Sequence, residues 1–231
     1  MSNVIVAGVG MTKFCKPGQQ EPYRVMAAKA INEALTDAGI QAKQIQQAYG
    51  AYIYGESTCA QHAFYDVIQS GIPVINVNNN CSSGSTALFL ARQAVLSGQV
   101  DCALAFGFEE MQRGALTTHW TDRESPFDRT EPVLDKFNAP QGPFALKAFG
   151  AAGRHYMNKY NVESDIFAKV SAKSRSHAVK NPYSMFTTPL TFEEVLQDKV
   201  IYDGYMTRTM ACPPTCGAAA TIVCSEAFAK K

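Results

Sequence analysis

Short apolar runs alternate with longer amphipathic segments along this chain. Unbroken apolar runs predict buried strands, and apolar residues at helical spacing predict helices. We expect strands at 4–9, 48–54, 74–77, 101–107 and 218–224, and helices at 22–38, 82–96, 144–160 and 162–178. Because strands alternate with helices, the pattern predicts an α/β protein with a largely parallel or mixed sheet.

The pattern changes after residue 111. Residues 112–141 are rich in prolines and in polar and charged side chains, which is typical of an excursion over the surface. The last predicted strand returns to the apolar character of the first part of the chain. We therefore expect a sheet domain formed by residues 1–111 and 206–231, interrupted by a long inserted loop domain at 112–205.

The composition is that of an ordinary globular protein and excludes few functions. The 231 residues are 46% hydrophobic and 18% charged, with a formal net charge of +1. This balance predicts no nucleic-acid partner and no anionic membrane partner. No apolar run reaches the length of a membrane span, and the N-terminus has the pattern of a first strand, not of a secretory signal. Seven cysteines are too sparse for a disulfide scaffold, so we expect free thiols and a cytoplasmic location.

Cys81 lies where a predicted strand passes into a predicted helix. Unpaired N–H groups and the helix dipole at such a position stabilise the thiolate, which is the nucleophilic form of the side chain. The neighbouring residues are small and polar, and Gly84 leaves room for a substrate or another backbone. These features favour a functional thiol, and a buried structural cysteine is the alternative.

Three other motifs are weaker. Gly8-Val9-Gly10 resembles the start of a dinucleotide fingerprint, but Lys13 stands where the third glycine belongs, so we expect a tight turn. Cys212 and Cys216 are too widely spaced for a zinc pair and lack a second pair, so no metal site is predicted. The chain has no Gly-x-Ser-x-Gly motif, which argues against a serine hydrolase.

Glu109 and Glu110 directly follow a predicted strand. Acidic residues at the carboxyl end of a strand can orient a neighbouring turn or line a site. The alternative is the solvated start of a loop, and spacing alone does not separate the two interpretations.

Taken together, the chain resembles the thiolase superfamily, and within it the branch of sterol carrier protein 2 thiolases. The resemblance runs the whole length of the chain, and the block around Cys81 is its most specific part. The matching blocks are Gly8-Val9-Gly10-Met11-Thr12-Lys13-Phe14, Gly55-Glu56-Ser57-Thr58-Cys59, Asn76-Val77-Asn78-Asn79-Asn80-Cys81-Ser82-Ser83-Gly84-Ser85-Thr86-Ala87, Ala105-Phe106-Gly107-Phe108-Glu109-Glu110-Met111, Asn181-Pro182-Tyr183-Ser184, Gly217-Ala218-Ala219-Ala220 and Ser225-Glu226-Ala227-Phe228.

The resemblance implies a fold and a chemistry. The fold is a thiolase-like layered α-β-α domain with a mixed five-stranded sheet and a long inserted loop domain. Cys81 falls on the nucleophile that the family acylates, and Ser83 and Gly84 would support the turn that holds the oxyanion. The implied reaction is thiolytic cleavage of a 3-oxoacyl-CoA, with a branched or steroid-derived acyl group. Coenzyme A is then a substrate contacted from within 112–205, and neither a cofactor nor a metal is required.

The resemblance covers only the N-terminal half of a thiolase. The family's histidine base and second cysteine belong to the C-terminal half, so we expect this chain alone to be inactive. The implied partners are that complementary half, a second copy in a homo-oligomer, or an accessory subunit of lipid metabolism. A peroxisomal location is the alternative to a cytoplasmic one. Cys216 departs from the family, since relatives often have Asp there.

Two alternative functions stay open. One keeps the fold but changes the reaction, to a condensing enzyme or an aldolase acting on steroid side chains. The retained Cys81 argues for acyl transfer, because an aldolase does not require an acylated cysteine. The other is a non-catalytic module that binds acyl-CoA or a protein partner.

Overall fold

The computed structural model describes residues 3–114 and 120–231. The strands are β1 (Val4–Met11), β2 (Gln47–Ala51), β3 (Val74–Val77), β4 (Cys102–Glu109), β5 (Val200–Tyr202), β6 (Met206–Thr207) and β7 (Gly217–Ser225). The helices are α1 (Tyr23–Ala38), α2 (Cys59–Tyr65), α3 (Ser83–Leu96), α4 (Glu131–Lys136), α5 (Phe144–Tyr160), α6 (Asp165–Ala178), α7 (Phe192–Leu196) and α8 (Glu226–Ala229). The nine predicted elements are all present, and the structure adds the short elements α2, α4, α7, α8, β5 and β6.

The main sheet has five strands in the order β1-β7-β4-β2-β3. Strand β7 runs antiparallel to both of its neighbours, whereas β4, β2 and β3 are mutually parallel. The prediction of an α/β fold with a mixed five-stranded sheet is therefore confirmed. The last strand of the chain lies between the first strand and β4, so residues near both ends of the sequence meet in the sheet.

Helices cover both faces of this sheet. Because side chains alternate between the faces of a strand, β4 sends Leu104 and Phe106 to one side and Ala103 and Ala105 to the other. The first side packs against α1 and α2, and the second packs against α3. The layers are thus helix, sheet and helix, with a separate apolar core on each face.

Gly8 and Gly10 lie inside β1, so the expected tight turn at this motif is wrong. A Cβ atom at Gly8 would lie 2.3 Å from the carbonyl oxygen of Ala34, and one at Gly10 would lie 2.1 Å from that of Ala30. These glycines therefore let α1 pack directly on the backbone of the strand. The motif serves helix–strand packing and not nucleotide binding.

The described residues form two compact units, one from 3–112 and 215–231 and the other from 113–214. In the second unit, β5 pairs with β6, and Gly150 of α5 makes room for the ring of Tyr202. Because β6 belongs to this pairing, the expected boundary after residue 205 falls inside the second unit. Within the described ranges, none of the helices combines the length and hydrophobicity needed to cross a bilayer.

Candidate functional site

Cys81 lies in a tight turn between the end of β3 and the start of α3. Two backbone hydrogen bonds close this turn, from Ser82 N–H to the Asn79 carbonyl at 3.1 Å and from Ser83 N–H to the Asn80 carbonyl at 3.0 Å. Asn80 adopts a left-handed φ of 47°, a conformation that asparagine tolerates better than most residues. The strand and helix thereby present an exposed Cys81 thiol just before the N-terminus of α3.

Ser83 is buried and holds the turn together from inside. Its hydroxyl donates to the Asn80 carbonyl at 2.7 Å and accepts from Asn79 N–H at 2.8 Å. Thr86 also stabilises the turn, because its hydroxyl accepts a hydrogen bond from the Asn79 side chain at 3.1 Å. The side chains around Cys81 thus fix the backbone that carries the thiol.

Gly84 follows at the open side of the turn. A Cβ atom built on Gly84 would meet no heavy atom of the described residues within 4 Å, so their packing does not require a glycine there. In the described part of the chain, neither Gly84 N–H nor Ser85 N–H has a hydrogen-bond acceptor. Two unpaired donors beside a thiol are the arrangement that can receive a negatively charged oxygen.

A cavity of about 490 Å³ opens beside Cys81. It lies over the carboxyl ends of β2 and β4 and the first half of β7. Its walls are mainly apolar, which suits an acyl chain better than a polar group. The lining includes Phe14, Tyr52, Cys81, Leu88, Phe108 and Glu109.

Glu109 is the acidic group of this cavity, and it clamps the loop after β2. One carboxylate oxygen accepts from Ile53 N–H at 3.0 Å, and the other accepts from Tyr54 N–H at 3.1 Å. Burial raises the pKa of Glu109, although these backbone hydrogen bonds oppose the shift. Glu109 therefore orients a turn and lines the cavity, and the alternative of a solvated loop residue is wrong.

Behind the cavity, an aromatic stack and one asparagine support the wall. The ring of Phe108 stacks between Tyr23 and Tyr52, with centroid distances of 4.8 and 5.2 Å. The Tyr52 hydroxyl donates to the Asn76 side-chain oxygen at 3.0 Å, and the same oxygen accepts from Ala60 N–H at 3.1 Å. Tyr52 and the role of Asn76 were not predicted from the sequence. The available signal was a single amide interrupting the apolar run of β3.

The described lining of the cavity contains no histidine. The His62 ring is hydrogen-bonded to the Tyr23 hydroxyl at 2.6 Å, and His155 lies edge-on to Phe137 in the other unit. His119 lies outside the described residues. Cys81 thus has no histidine partner among the described residues that line its cavity.

The described residues contain no cluster of potential metal ligands. Over residues 3–114 and 120–231, no three His, Cys, Asp or Glu side chains converge closely enough to hold a metal ion. All seven cysteines are free thiols. The site is therefore a thiol, two helix N–H donors, a half-buried carboxylate and an apolar cavity.

Solved structures with the same fold include enzymes of acyl-CoA chemistry. The Ltp2-ChsH2(DUF35) aldolase superposes with a TM-score of 0.78 at 20% identity, covering 99% of this chain and 57% of that one. Human mitochondrial 3-ketoacyl-CoA thiolase in complex with CoA superposes with a TM-score of 0.72 at 16% identity, covering 99% and 66%. At these identities the likeness establishes the fold alone.

Sequence relatives are more similar. Sterol carrier protein 2 of Oryctolagus cuniculus is 45% identical over 100% of this chain, and the chain spans 43% of that protein. Benzoylsuccinyl-CoA thiolase subunit BbsB of Thauera aromatica is 31% identical over 99% of this chain and 57% of its own length. The chain therefore spans less than half of the first relative and somewhat more than half of the second.

A family model covers most of the chain. Residues 4–203 match the model described as the thiolase N-terminal domain. That match includes the strand, turn and helix that present Cys81. The resemblance found from the sequence is therefore confirmed, and the chain belongs to the thiolase family.

Proposed function

We propose that this chain is the nucleophile-bearing half of a thiolase-type acyltransferase that cleaves a 3-oxoacyl-CoA with free CoA. The observation that carries the proposal is the exposed Cys81 thiol, which stands beside an apolar cavity and just before the N-terminus of α3. A structural cysteine would be buried among apolar side chains, as Cys102 and Cys224 are. Metal and redox cofactors have no part in the proposed reaction.

In the first step, Cys81 Sγ attacks the 3-keto carbon of the substrate. The bond between C2 and C3 then breaks, its electron pair stays on C2, and the shortened acyl-CoA leaves after C2 takes up a proton. In the second step, the thiol of free CoA attacks the acyl group on Cys81 and displaces the Cys81 thiolate. This covalent route divides one difficult cleavage into two easier transfers.

The turn before α3 has two roles in this scheme. The N–H groups of Gly84 and Ser85 have no acceptor among the described residues and are available to the oxyanion that develops as Cys81 attacks. The buried Ser83 lines the cavity and holds the turn rigid through its hydroxyl. Ser83 is therefore assigned as a positioning residue, and Gly84 as part of the oxyanion-binding turn.

The acyl group of the substrate would lie against the apolar walls of the cavity. Phe14, Leu88 and Phe108 contribute large apolar side chains there, which favours a branched or ring-containing acyl group over a small polar one. The similarity to sterol carrier protein 2 supports a lipid-derived substrate.

Turnover would require a proton donor and acceptor that Cys81 lacks in this cavity. We assign that role to a complementary thiolase half or a partner subunit, consistent with relatives that extend well beyond this region and with one that is named as a subunit. Glu109 is not assigned as the base, because both of its carboxylate oxygens accept backbone hydrogen bonds. A second copy of this chain is a further proposed partner.

Intact-mass spectrometry tests the proposal directly. The chain is mixed with acetyl-CoA and, separately, with a branched-chain acyl-CoA, and the mass is compared with that of Cys81→Ala and Cys212→Ala. Cys212 is also exposed and serves as the matched thiol control. We expect one acyl group to be added to the wild type and to Cys212→Ala, and none to Cys81→Ala.

Two results would decide against the proposal. Acyl-CoA binding without any acyl adduct would favour the non-catalytic module. Adduct formation that persists in Cys81→Ala would place the nucleophile elsewhere. An assay with a 3-oxoacyl-CoA and CoA should show no sustained thiolysis by this chain alone.

A further inference from the structure

We propose that Cys15 and Cys216 form an oxidative modification site, a dithiol that closes to a disulfide by exchange with a low-molecular-weight disulfide such as oxidised glutathione. The pair is separated by 201 positions in the sequence and lies outside the machinery assigned to Cys81. The proposal does not rest on the proposed function. It requires only two thiols at bridging distance and access of an oxidant to one of them.

The backbone places the two cysteines directly opposite each other. Cys15 N–H donates to the Cys216 carbonyl at 3.0 Å, and Cys216 N–H donates to the Cys15 carbonyl at 2.9 Å. Reciprocal bonds of this kind define a hydrogen-bonded antiparallel pair, whose Cα atoms lie about 5.5 Å apart. Disulfides have Cα separations of about 4.4 to 6.8 Å, so this spacing of the Cα atoms lies within the range of a bridge.

The two thiols also project to the same side, since opposite residues of an antiparallel pair share a face. Neither thiol is strongly held in its present position. Cys15 Sγ donates to the Cys216 carbonyl at 3.8 Å, and Cys216 Sγ donates to the Met111 carbonyl at 3.5 Å. These are weak sulfur hydrogen bonds, so rotation of the side chains toward each other sacrifices little.

The pair is asymmetric, which assigns an order to the chemistry. Cys15 is partly exposed, whereas Cys216 is buried. Burial raises the pKa of both thiols, so exchange is slow near neutral pH and accelerates as the pH rises. Cys15 is therefore the thiol that meets the oxidant, and Cys216 is the resolving thiol.

The exchange balances in two steps. The Cys15 thiolate attacks oxidised glutathione, forms a mixed disulfide and releases one glutathione, which takes the proton. The Cys216 thiolate then attacks the Cys15 sulfur of the mixed disulfide and releases the second glutathione. Two protein thiols are oxidised to one disulfide, and one disulfide is reduced to two glutathione thiols.

The bridge would fasten one wall of the cavity beside Cys81. Phe14 precedes Cys15, Gly217 follows Cys216, and both line that cavity. Gly217 admits the Phe14 ring so closely that a Cβ atom there would lie 3.0 Å from it. A disulfide next to this contact would join the segments around Phe14 and Gly217 covalently. In the reduced chain, hydrogen bonds and packing alone hold these two segments together.

A second pair provides an internal control. Cys102 and Cys224 face each other across β4 and β7, but both side chains are completely buried in the core. Burial raises the pKa of Cys102 to about 12, which suppresses its thiolate further. Two cysteines that face each other across paired strands are therefore not expected to undergo disulfide exchange when both are buried. Cys102 and Cys224 should stay reduced under conditions that link Cys15 to Cys216.

Peptide mapping of the full chain tests the proposal. The chain is incubated with oxidised glutathione at a pH of about 8.5, which is the pKa of a free thiol. It is then quenched in acid, alkylated and digested without reduction. We expect a peptide linking Cys15 to Cys216, a mass loss of about 2 Da for that disulfide, and reversal by dithiothreitol. The linked peptide should disappear in Cys15→Ser and persist in Cys212→Ser, which removes an exposed thiol four positions before Cys216 in the sequence.

The outcomes that would overturn the proposal are equally specific. Full alkylation of Cys15 and Cys216 after oxidation, with Cys81 or Cys212 modified in the same sample, would show that the oxidant was active and the pair unreactive. A disulfide between Cys216 and Cys212 would show that Cys15 is not the partner of Cys216. The melting temperature of the oxidised wild type should rise, because the disulfide closes a long loop. An unchanged melting temperature would show that the disulfide does not stabilise the cavity wall at Phe14 and Gly217.

Discussion

The Ser83 hydroxyl donates to the Asn80 carbonyl at 2.7 Å, and this bond spans Cys81 from the buried side of the turn. The hydroxyl also accepts from Asn79 N–H, so one buried oxygen fixes the backbone on both sides of the candidate nucleophile. The position of the thiol thus depends on the hydroxyl of a buried neighbouring residue. This relationship separates the residues that act in the site from those that position it.

Ser83→Ala should destabilise the chain and impair Cys81 together. Loss of the hydroxyl leaves Asn79 N–H without its acceptor, which costs about 1–3 kcal/mol, and removes one of the two donors to the Asn80 carbonyl. Urea unfolding and the rate of Cys81 acylation measure the two effects. Ser82→Ala is the matched control, because the exposed Ser82 hydroxyl makes a hydrogen bond to the Asn79 carbonyl alone. Equal effects of the two variants would contradict the positioning role.

Glu109→Gln should loosen the loop at residues 53–54. The carboxamide keeps one acceptor oxygen, so one of the two backbone donors loses its bond, at a cost of about 1–3 kcal/mol. We expect a lower free energy of unfolding and slower acylation of Cys81. Glu110→Gln is the neighbouring control, and a larger loss in that variant would show that Glu109 does not clamp the loop.

The raised pKa of Glu109 predicts a pH dependence of stability with a definite sign. The folded chain holds the Glu109 carboxyl proton more tightly than the unfolded chain. The stability that this proton binding adds is therefore fully present below the ordinary pKa of 4.5. That stability is lost as the pH rises through the pKa of Glu109 in the folded chain. The stability of the wild type relative to Glu109→Gln should therefore fall as the pH rises across that window. A difference that grows with pH would contradict the assignment.

Gly10→Ala and Gly84→Ala should behave in opposite ways. The new methyl group at Gly10 would meet the Ala30 carbonyl oxygen at 2.1 Å, which forces α1 away from β1 and costs more than about 1–3 kcal/mol. The new methyl group at Gly84 meets nothing, so the melting temperature should stay close to that of the wild type. Thermal unfolding compares the two variants directly.

Gly84→Ala should nevertheless slow acylation of Cys81. Its methyl group enters the open space beside the thiol, where the proposed oxyanion and acyl group are accommodated. Rates with acetyl-CoA and a branched-chain acyl-CoA measure the effect. Unchanged rates with both would show that the substrate does not approach this side of the turn.

Much of the fold followed from local patterns. Helix α1 ends where the sequence predicted, and Gly39 follows it with a left-handed φ of 66° that suits glycine. Ser225 caps α8, since its hydroxyl accepts from Phe228 N–H at 3.1 Å. Helix α2 was missed because it is short. Its N-cap residue, Thr58, has a left-handed φ of 67° and makes no side-chain capping hydrogen bond. Helix α4 was missed because its segment is polar and exposes most of its side chains.

By itself, the sequence determined the α/β class, the strand and helix around Cys81 and the thiolase family, because these depend on residues adjacent in the chain. Only the tertiary structure decided that β7 inserts between β1 and β4, that Glu109 clamps residues 53 and 54, and that Cys15 faces Cys216. Each of these relationships joins segments far apart in sequence. Their pairing is set by burial and backbone hydrogen bonding across the whole sheet, and no local pattern of residue types records it.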